Sequence, residues 1–145
     1  MLTTDQKGAV AESAIVHAAI KLGVGVLKPL TDGERYDLVF DLRPELMRVQ
    51  CKCAVLPGSI LQVPCYSARR SRQGLVKRYY SASEIDALAA YSLELARCFF
   101  IPLDRIAGRS GVQLRLARSR NNQQLGINWA DDFDFAARLE ALLGP

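Results

Sequence analysis

Apolar and small residues recur with helical spacing from about Thr4 to Leu22, where Ala9, Val10, Ser13, Ala14, Val16, Ala18, Ala19, Ile20 and Leu22 make one broad face. Thr4 stands where an N-cap belongs and Gly23 where a helix stops. Gly25 to Leu30 is a short apolar run that reads as a strand, ended by Pro29 and the turn Thr31-Asp32-Gly33. From Tyr36 to Asp41 the pattern alternates, with Leu38 and Phe40 on one face and Asp37, Val39 and Asp41 on the other. Arg43-Pro44-Glu45 makes a turn into a third strand, Leu46 to Val55. Asp37 is therefore expected on one strand of a hairpin, with Gln50 and Lys52 on its partner.

The pattern loosens over residues 56–81, where Pro57-Gly58, Pro64 and Gly74 interrupt a basic run. This predicts an irregular excursion, two short strands around a basic loop. Ser83 to Leu95 is rich in Ala and Leu, so its local pattern favours a helix. Arg97 to Leu103 reads as a buried strand stopped at Pro102. Val112 to Arg118 alternates, with Val112, Leu114 and Leu116 inward. Asp131 to Leu143 predicts a C-terminal helix with Phe133, Phe135, Ala136, Leu139 and Leu143 inward. Helix, sheet and closing helix make an α/β or α+β fold, a single domain over residues 1–145.

Half of the 145 residues are hydrophobic and 23% are charged, which excludes a disordered chain. No run approaches the roughly 18 apolar residues of a membrane span, and the first twenty residues, with Asp5, Lys7 and Glu12, lack a secretory apolar core. A cytoplasmic protein with reduced thiols and no membrane partner is expected. The net charge of +4 says little, but its distribution says more. No acid lies between Glu45 and Glu84, a stretch holding Arg48, Lys52, Arg69, Arg70, Arg72, Lys77 and Arg78. None lies between Asp104 and Asp131, a stretch holding Arg105, Arg109, Arg115, Arg118 and Arg120. Two acid-free basic stretches suit a polyanion binder.

Four polar residues interrupt apolar surroundings: Glu12 in the first helix, Asp37 in a strand, and Gln50 and Lys52 on one face of the next strand. Two carboxylates, an amide oxygen and an ammonium at one end of a sheet suit a hard divalent cation, which takes oxygen ligands. Such an ion polarises a phosphodiester and lowers the pKa of bound water, with a lysine beside it to orient that water or to stabilise the phosphorane. The chemistry indicated is metal-dependent phosphodiester hydrolysis. Other chemistries fit poorly. Cys51 and Cys53 have no second pair at zinc-finger spacing, and His17 is the one histidine. No glycine-rich phosphate loop is present.

Glu in the first helix, Asp on a strand and Gln-x-Lys on the next strand resemble the PD-(D/E)xK nuclease superfamily, and within it the group I intron-associated homing endonucleases. The resemblance begins at Lys7-Gly8 with Ala11-Glu12, continues through Asp37-Leu38-Val39 and is tightest at Arg48-Val49-Gln50-Cys51-Lys52. It resumes at Tyr80, Glu84-Ile85-Asp86, Ala90-Tyr91, Cys98 to Pro102, Arg120-Asn121 with Gln123, and Ala130 to Phe133. It departs from the wider pattern in having Tyr36 in place of the motif proline and Gln50 in place of an acid.

The resemblance implies a restriction-endonuclease-like core, a mixed central β-sheet flanked by helices. It implies Asp37 and Glu12 as metal ligands, Lys52 as the catalytic lysine, and Gln50 as a ligand through its amide oxygen or a spacer beside the Cys51 carbonyl. It turns Asp86 to Leu103 into a β-hairpin in place of the helix. The implied activity is Mg²⁺-dependent, with Mn²⁺ able to substitute, and cuts double-stranded DNA at specific sites. Arg69, Arg70, Arg72, Lys77 and Arg78 would contact DNA from the excursion, and Arg118, Arg120, Asn121 and Gln123 would form a second DNA-facing edge. A chain this short implies a homodimer or homotetramer. The rival readings are a structure-selective nuclease of the Holliday-junction-resolving kind, a decayed DNA-binding protein on the same fold, and an RNA-binding splicing cofactor.

Overall fold

A computed structural model of the protein describes residues 1–116 and 127–144. Helix α1 spans Thr4–Lys21. Its cap is Thr3, one residue earlier than the pattern predicts. The Thr3 hydroxyl accepts from the Gln6 N–H while the Gln6 side chain accepts from the Thr3 N–H, which satisfies two donors that the helix start leaves free. Gly23, with φ +82°, takes the left-handed conformation that ends the helix. The buried stripe is narrower than the apolar pattern suggests: Ala11, Ile15 and Ala19 face inward at four-residue spacing, and Ile20 is exposed.

Three strands follow: β1 (Gly25–Leu27), β2 (Leu38–Asp41) and β3 (Leu46–Ala54). Residues 56–81 are more regular than expected. They form β4 (Ile60–Pro64), β5 (Tyr66–Ser71) and β6 (Gly74–Tyr79). Then come β7 (Ala87–Ser92), β8 (Arg97–Pro102), β9 (Gly111–Arg115), a 3-10 turn (Ala130–Phe133) and helix α2 (Phe135–Leu143). The last strand ends before Leu116, which is 37% exposed and not inward. The C-terminal helix begins later than predicted because the Asp134 carboxylate caps it, accepting from the Ala137 N–H at 3.1 Å. Ala136 is exposed, while Phe133, Phe135 and Leu139 are buried as expected.

The central sheet is mixed, with the order β1-β2-β3-β7-β8, parallel between β3 and β7 and antiparallel elsewhere. The hairpin β7–β8 stands where the local pattern favoured a helix. Ala87 and Ala89 pack with Ile15, Phe40 and Phe135, whereas Leu88 and Ala90 pack with Leu61, Val63 and Leu114. A strand covered on both faces loses its period-2 alternation, so a run of Ala and Leu imitates a helix.

On one face of the sheet lie α1 and α2. Phe135 meets Phe40 and Phe100 edge-on at 6.0 and 6.4 Å, contacts worth about 0.5–1.5 kcal/mol each beyond their buried area. The other face is covered by the antiparallel pair β4–β9, with Leu61 opposite Leu114 and Val63 opposite Val112, all buried. The result is an α+β fold with a mixed central sheet flanked by helices.

The parallel joint at β3–β7 is locked at its start by Arg48 and Asp86. Arg48 Nε and Nη2 donate to the two carboxylate oxygens at 3.2 and 3.1 Å, and the Arg48 N–H donates to Oδ2 at 2.8 Å. The Asp86 N–H answers by donating to the Arg48 carbonyl at 2.9 Å. Arg48 is thus spent on the fold.

Candidate active site

The site forms where β3 outruns β2. Their ladder runs from Asp41↔Leu46 to Leu38↔Val49, and the Asp37 N–H adds one more bond to the Val49 carbonyl at 2.9 Å. Past that point β3 continues to Ala54 with β7 on its other edge. The Cys51 N–H projects to the edge that β2 has left, where the Asp37 carboxylate accepts it at 2.9 Å. A strand residue turns its N–H and C=O to the same edge, so the Cys51 carbonyl opens into the same space. The Gln50 amide nitrogen lies 3.5 Å from that oxygen, at the limit of hydrogen bonding.

Glu12 comes from the rim of the α1 stripe, next to buried Ala11, and pairs with Lys28 at 3.2 Å. It lies within electrostatic reach of Asp37 and of Cys51. Burial raises the Asp37 pKa most strongly, the Cys51 N–H opposes that rise, and the Glu12 charge adds to it. Burial, then Asp37 and Glu12, push the Cys51 thiol up in the same way. The charges of Lys52 and Lys28 act on Asp37 in the opposite sense, so the two carboxylates are met by two ammonium groups.

Lys52 approaches from the other face of β3. Its Nζ donates to the Tyr66 carbonyl at 2.9 Å and lies 5.3 Å from the centroid of the buried Tyr80 ring. Burial pulls its pKa down, while the Asp37 charge holds it up. Burial pushes the Tyr80 phenol up to about 12, so it stays neutral. Glu12, Asp37, Gln50, Cys51 and Lys52 are therefore neighbours around one strand end.

The oxygens these residues offer are those of two carboxylates, the Cys51 carbonyl and the Gln50 amide, whose nitrogen faces that carbonyl. Such a set fits a hard divalent cation such as Mg²⁺, which completes its shell with water. Among the described residues no group of three or more His, Cys, Asp or Glu is gathered to hold a metal. An ion here would depend on the carbonyl, the amide and water beside Asp37 and Glu12.

The five basic residues of the excursion lie on or at the tip of one antiparallel ribbon, β5–β6, in which every residue from Ala68 to Tyr79 is exposed. Gly74, with φ +106°, closes its turn. The register divides the basic residues. Arg70 and Lys77 share one face with Tyr66 and Tyr79, and Arg69 and Arg78 share the other. Lys77 Nζ lies 4.7 Å over the Tyr66 ring, and Arg78 pairs with Glu84 at 3.1 Å. Arg72 lies in the turn. Arg118, Arg120, Asn121 and Gln123 lie outside the described residues.

Two nearby cations carried no pattern that sequence reasoning could use. Lys28, past the end of β1, faces Glu12, and Arg35 bonds to both strands of the ribbon. Both sit in irregular segments, and their hydrogen-bond partners lie 16 to 44 residues away.

The model of the PD-(D/E)XK endonuclease family matches residues 2–136. Among solved structures, that of a bacterial homing endonuclease, I-Ssp6803I, is similar to this chain, with a TM-score of 0.76 and 30% sequence identity over 95% of this chain and 93% of that one. A search of curated proteins finds no match. Among the described residues no helix is long and apolar enough to cross a membrane.

Proposed function

Because the chain belongs to the PD-(D/E)XK endonuclease family, we propose that it is a Mg²⁺-dependent endonuclease that hydrolyses phosphodiester bonds of double-stranded DNA at specific sites, in the manner of a homing endonuclease. The observation that carries this reading is the meeting of the Asp37 carboxylate with the Cys51 main chain beyond the end of β2, with Glu12 and Lys52 within electrostatic reach of Asp37. Asp37, Glu12, the Cys51 carbonyl and Gln50 would hold the ion. When bound, it polarises the scissile phosphate and acidifies water.

The remaining work falls to the chain's own groups. As the ammonium, Lys52 donates to the phosphate as charge builds on its oxygens; burial lowers its pKa, which enlarges the neutral amine fraction that can accept the proton the attacking water gives up. The Cys51 N–H holds one oxygen of the Asp37 carboxylate, which would leave the other oxygen to the ion. Lys28 offsets the charge of Glu12.

A two-stranded ribbon fits the major groove, where arginine can read guanine bidentately. The β5–β6 ribbon would enter it, with Arg70 and Lys77 on one face and Arg69 on the other. Two cuts in a duplex call for two active sites, so a homodimer or homotetramer belongs to this reading. A cytoplasmic location, with access to DNA, belongs to it as well.

The test is cleavage of a randomised duplex library with Mg²⁺ or Mn²⁺, with Lys52→Ala as control. Discrete cuts by the wild type alone are expected. Binding without cutting in either metal would move the assignment to a decayed DNA-binding or RNA-binding protein. Cutting governed by branching and not by sequence would move it to a junction resolvase.

A further inference from the structure

Arg35 lies two residues before Asp37, in no regular element. Its guanidinium nevertheless holds both roots of the basic ribbon. Nη1 donates to the Ser67 hydroxyl on β5, and Nη2 donates to the Tyr79 carbonyl on β6 at 2.9 Å and to the Arg78 carbonyl at 3.3 Å. Nε stands 3.0 Å from Glu84 Oε2, at an angle that makes an ion pair and not a hydrogen bond. Glu84 in turn accepts from Arg78 Nη2 at 3.1 Å.

Arg35 and Lys52 share a third partner. The guanidinium lies 4.3 Å, and Lys52 Nζ 5.3 Å, from the centroid of the Tyr80 ring. Lys52 also holds the Tyr66 carbonyl, and Tyr66 is paired directly with Tyr79 across the ribbon. The first and last residues of the ribbon are therefore gripped by the lysine of the site and by the arginine beside its aspartate. The side chain of Arg35 is only 15% exposed, so water screens these bonds little. A planar fork bonded to two strands at once fixes an angle as well as a distance, which a lysine or a single bond would not do.

We propose that Arg35 is a positioning residue for cleavage: it fixes the ribbon relative to the Asp37–Lys52 pair, and so sets which phosphodiester is cut relative to the sequence the ribbon reads. This rests on the endonuclease reading above. The ribbon grips DNA through residues at its exposed end, whereas the scissile phosphate must meet groups at its root. A ribbon held at one root instead of two would still bind, but it would deliver the phosphate out of register.

The experiment is single-turnover cleavage of the preferred duplex, with cut positions resolved to the nucleotide, for wild type, Arg35→Gln, Arg35→Lys and Ser67→Ala. DNA affinity is measured alongside without divalent metal, and folding by circular dichroism. Arg35→Gln is expected to bind as wild type, to cut about 10²-fold more slowly, and to spread its cuts to neighbouring phosphodiesters. Ser67→Ala, which removes one grip, should spread them with a smaller loss of rate, and Arg35→Lys should fall between. If Arg35→Gln or Ser67→Ala cuts only at the wild-type position, whatever its rate, the positioning role is overturned. If Arg35→Gln does not fold, the cut positions of Ser67→Ala decide alone. A wild type that cuts no DNA in Mg²⁺ or Mn²⁺ overturns the endonuclease reading, and this proposal with it. A wild type that cuts, with variants whose cut position never moves, overturns this proposal alone.

Discussion

The Asp37 carboxylate accepts the Cys51 N–H at 2.9 Å, and that single bond closes the end of a β-ladder at the candidate site. It replaces the strand hydrogen bond that β2 no longer supplies, and it leaves the Cys51 carbonyl facing the same space. Burial, and after it the charge of Glu12, raise the pKa of that carboxylate, while the Cys51 N–H opposes them. A carboxyl whose pKa is raised on folding binds protons more readily in the native state. It therefore costs stability once the pH rises above its unfolded value. Asp37→Asn removes that charge and still accepts from Cys51. At neutral pH without metal it is expected to melt higher than wild type, while its cleavage is lost. The wild-type melting temperature should fall as pH rises through the raised Asp37 pKa, and the variant's should not. Mg²⁺ should raise the melting temperature of wild type and leave Asp37→Asn unmoved. Thermal denaturation with and without Mg²⁺ checks all of these, and equal Mg²⁺ shifts in both proteins would remove Asp37 from the metal site.

Lys52 faces a different test, because its ammonium also holds the Tyr66 carbonyl and faces Tyr80. In the proposed mechanism Lys52→Ala loses a donor to the phosphate and a proton relay, an effect of about 10²–10⁴-fold on the single-turnover rate. Duplex binding should persist, since the ribbon's exposed basic residues are untouched. Band shifts alongside the cleavage assay separate the two. A variant that cuts at the wild-type rate would assign Lys52 to the anchoring of the ribbon alone.

Much of this architecture was legible in residue pattern, and the exceptions have physical causes. Strand β2 announces itself because one face is buried and the other half-exposed, so Leu38 and Phe40 alternate with Val39 and Asp41. Strand β7 does not, because helices cover Ala87 and Ala89 while β4–β9 covers Leu88 and Ala90. Only the family resemblance, with its fixed order of segments, placed the hairpin there. The ribbon β5–β6 was legible only as two short strands around a basic loop, without bounds or register, for the opposite reason. With nearly every residue exposed, neither face carries an apolar period. Glu12, Gln50 and Lys52 stood out as polar residues in apolar elements, and Asp37 in an apolar run whose strand, β2, begins one residue later at Leu38. Lys28 and Arg35 sit in loops, where a charge is unremarkable, and acquire meaning only through partners distant in sequence.

The clamp between Arg48 and Asp86 predicts a pH-dependent stability of the opposite sign. The bonds from Arg48 lower the Asp86 pKa. The stabilisation is therefore present above the unfolded carboxyl value and is lost as pH falls through the folded one. Asp86→Asn should destabilise the protein by about 1 kcal/mol near neutral pH, a modest figure because both side chains are partly solvated. The gap to wild type should close in acid. Urea titrations at several pH values measure it, and a gap that stays constant down to strongly acidic pH would show that the charge on Asp86 contributes nothing.

The register of the ribbon separates its basic residues by more than position. Arg70 is exposed and pairs with no acid among the described residues, so in the proposed complex its charge is available to displace a counterion from a phosphate or to read a base. Arg78 is already partnered by Glu84, which it must release before it can serve DNA. Arg70→Ala should therefore weaken duplex binding and reduce the slope of log affinity against log salt by about one unit. Arg78→Ala should reduce the slope less, and should lower stability slightly by leaving Glu84 with one partner fewer. Affinity titrations between low and physiological salt give both slopes. Equal slopes for the two variants would mean that the faces of the ribbon are not distinguished by DNA. The whole ribbon would then act as a diffuse basic arm, not as an element seated in the groove with one face inward.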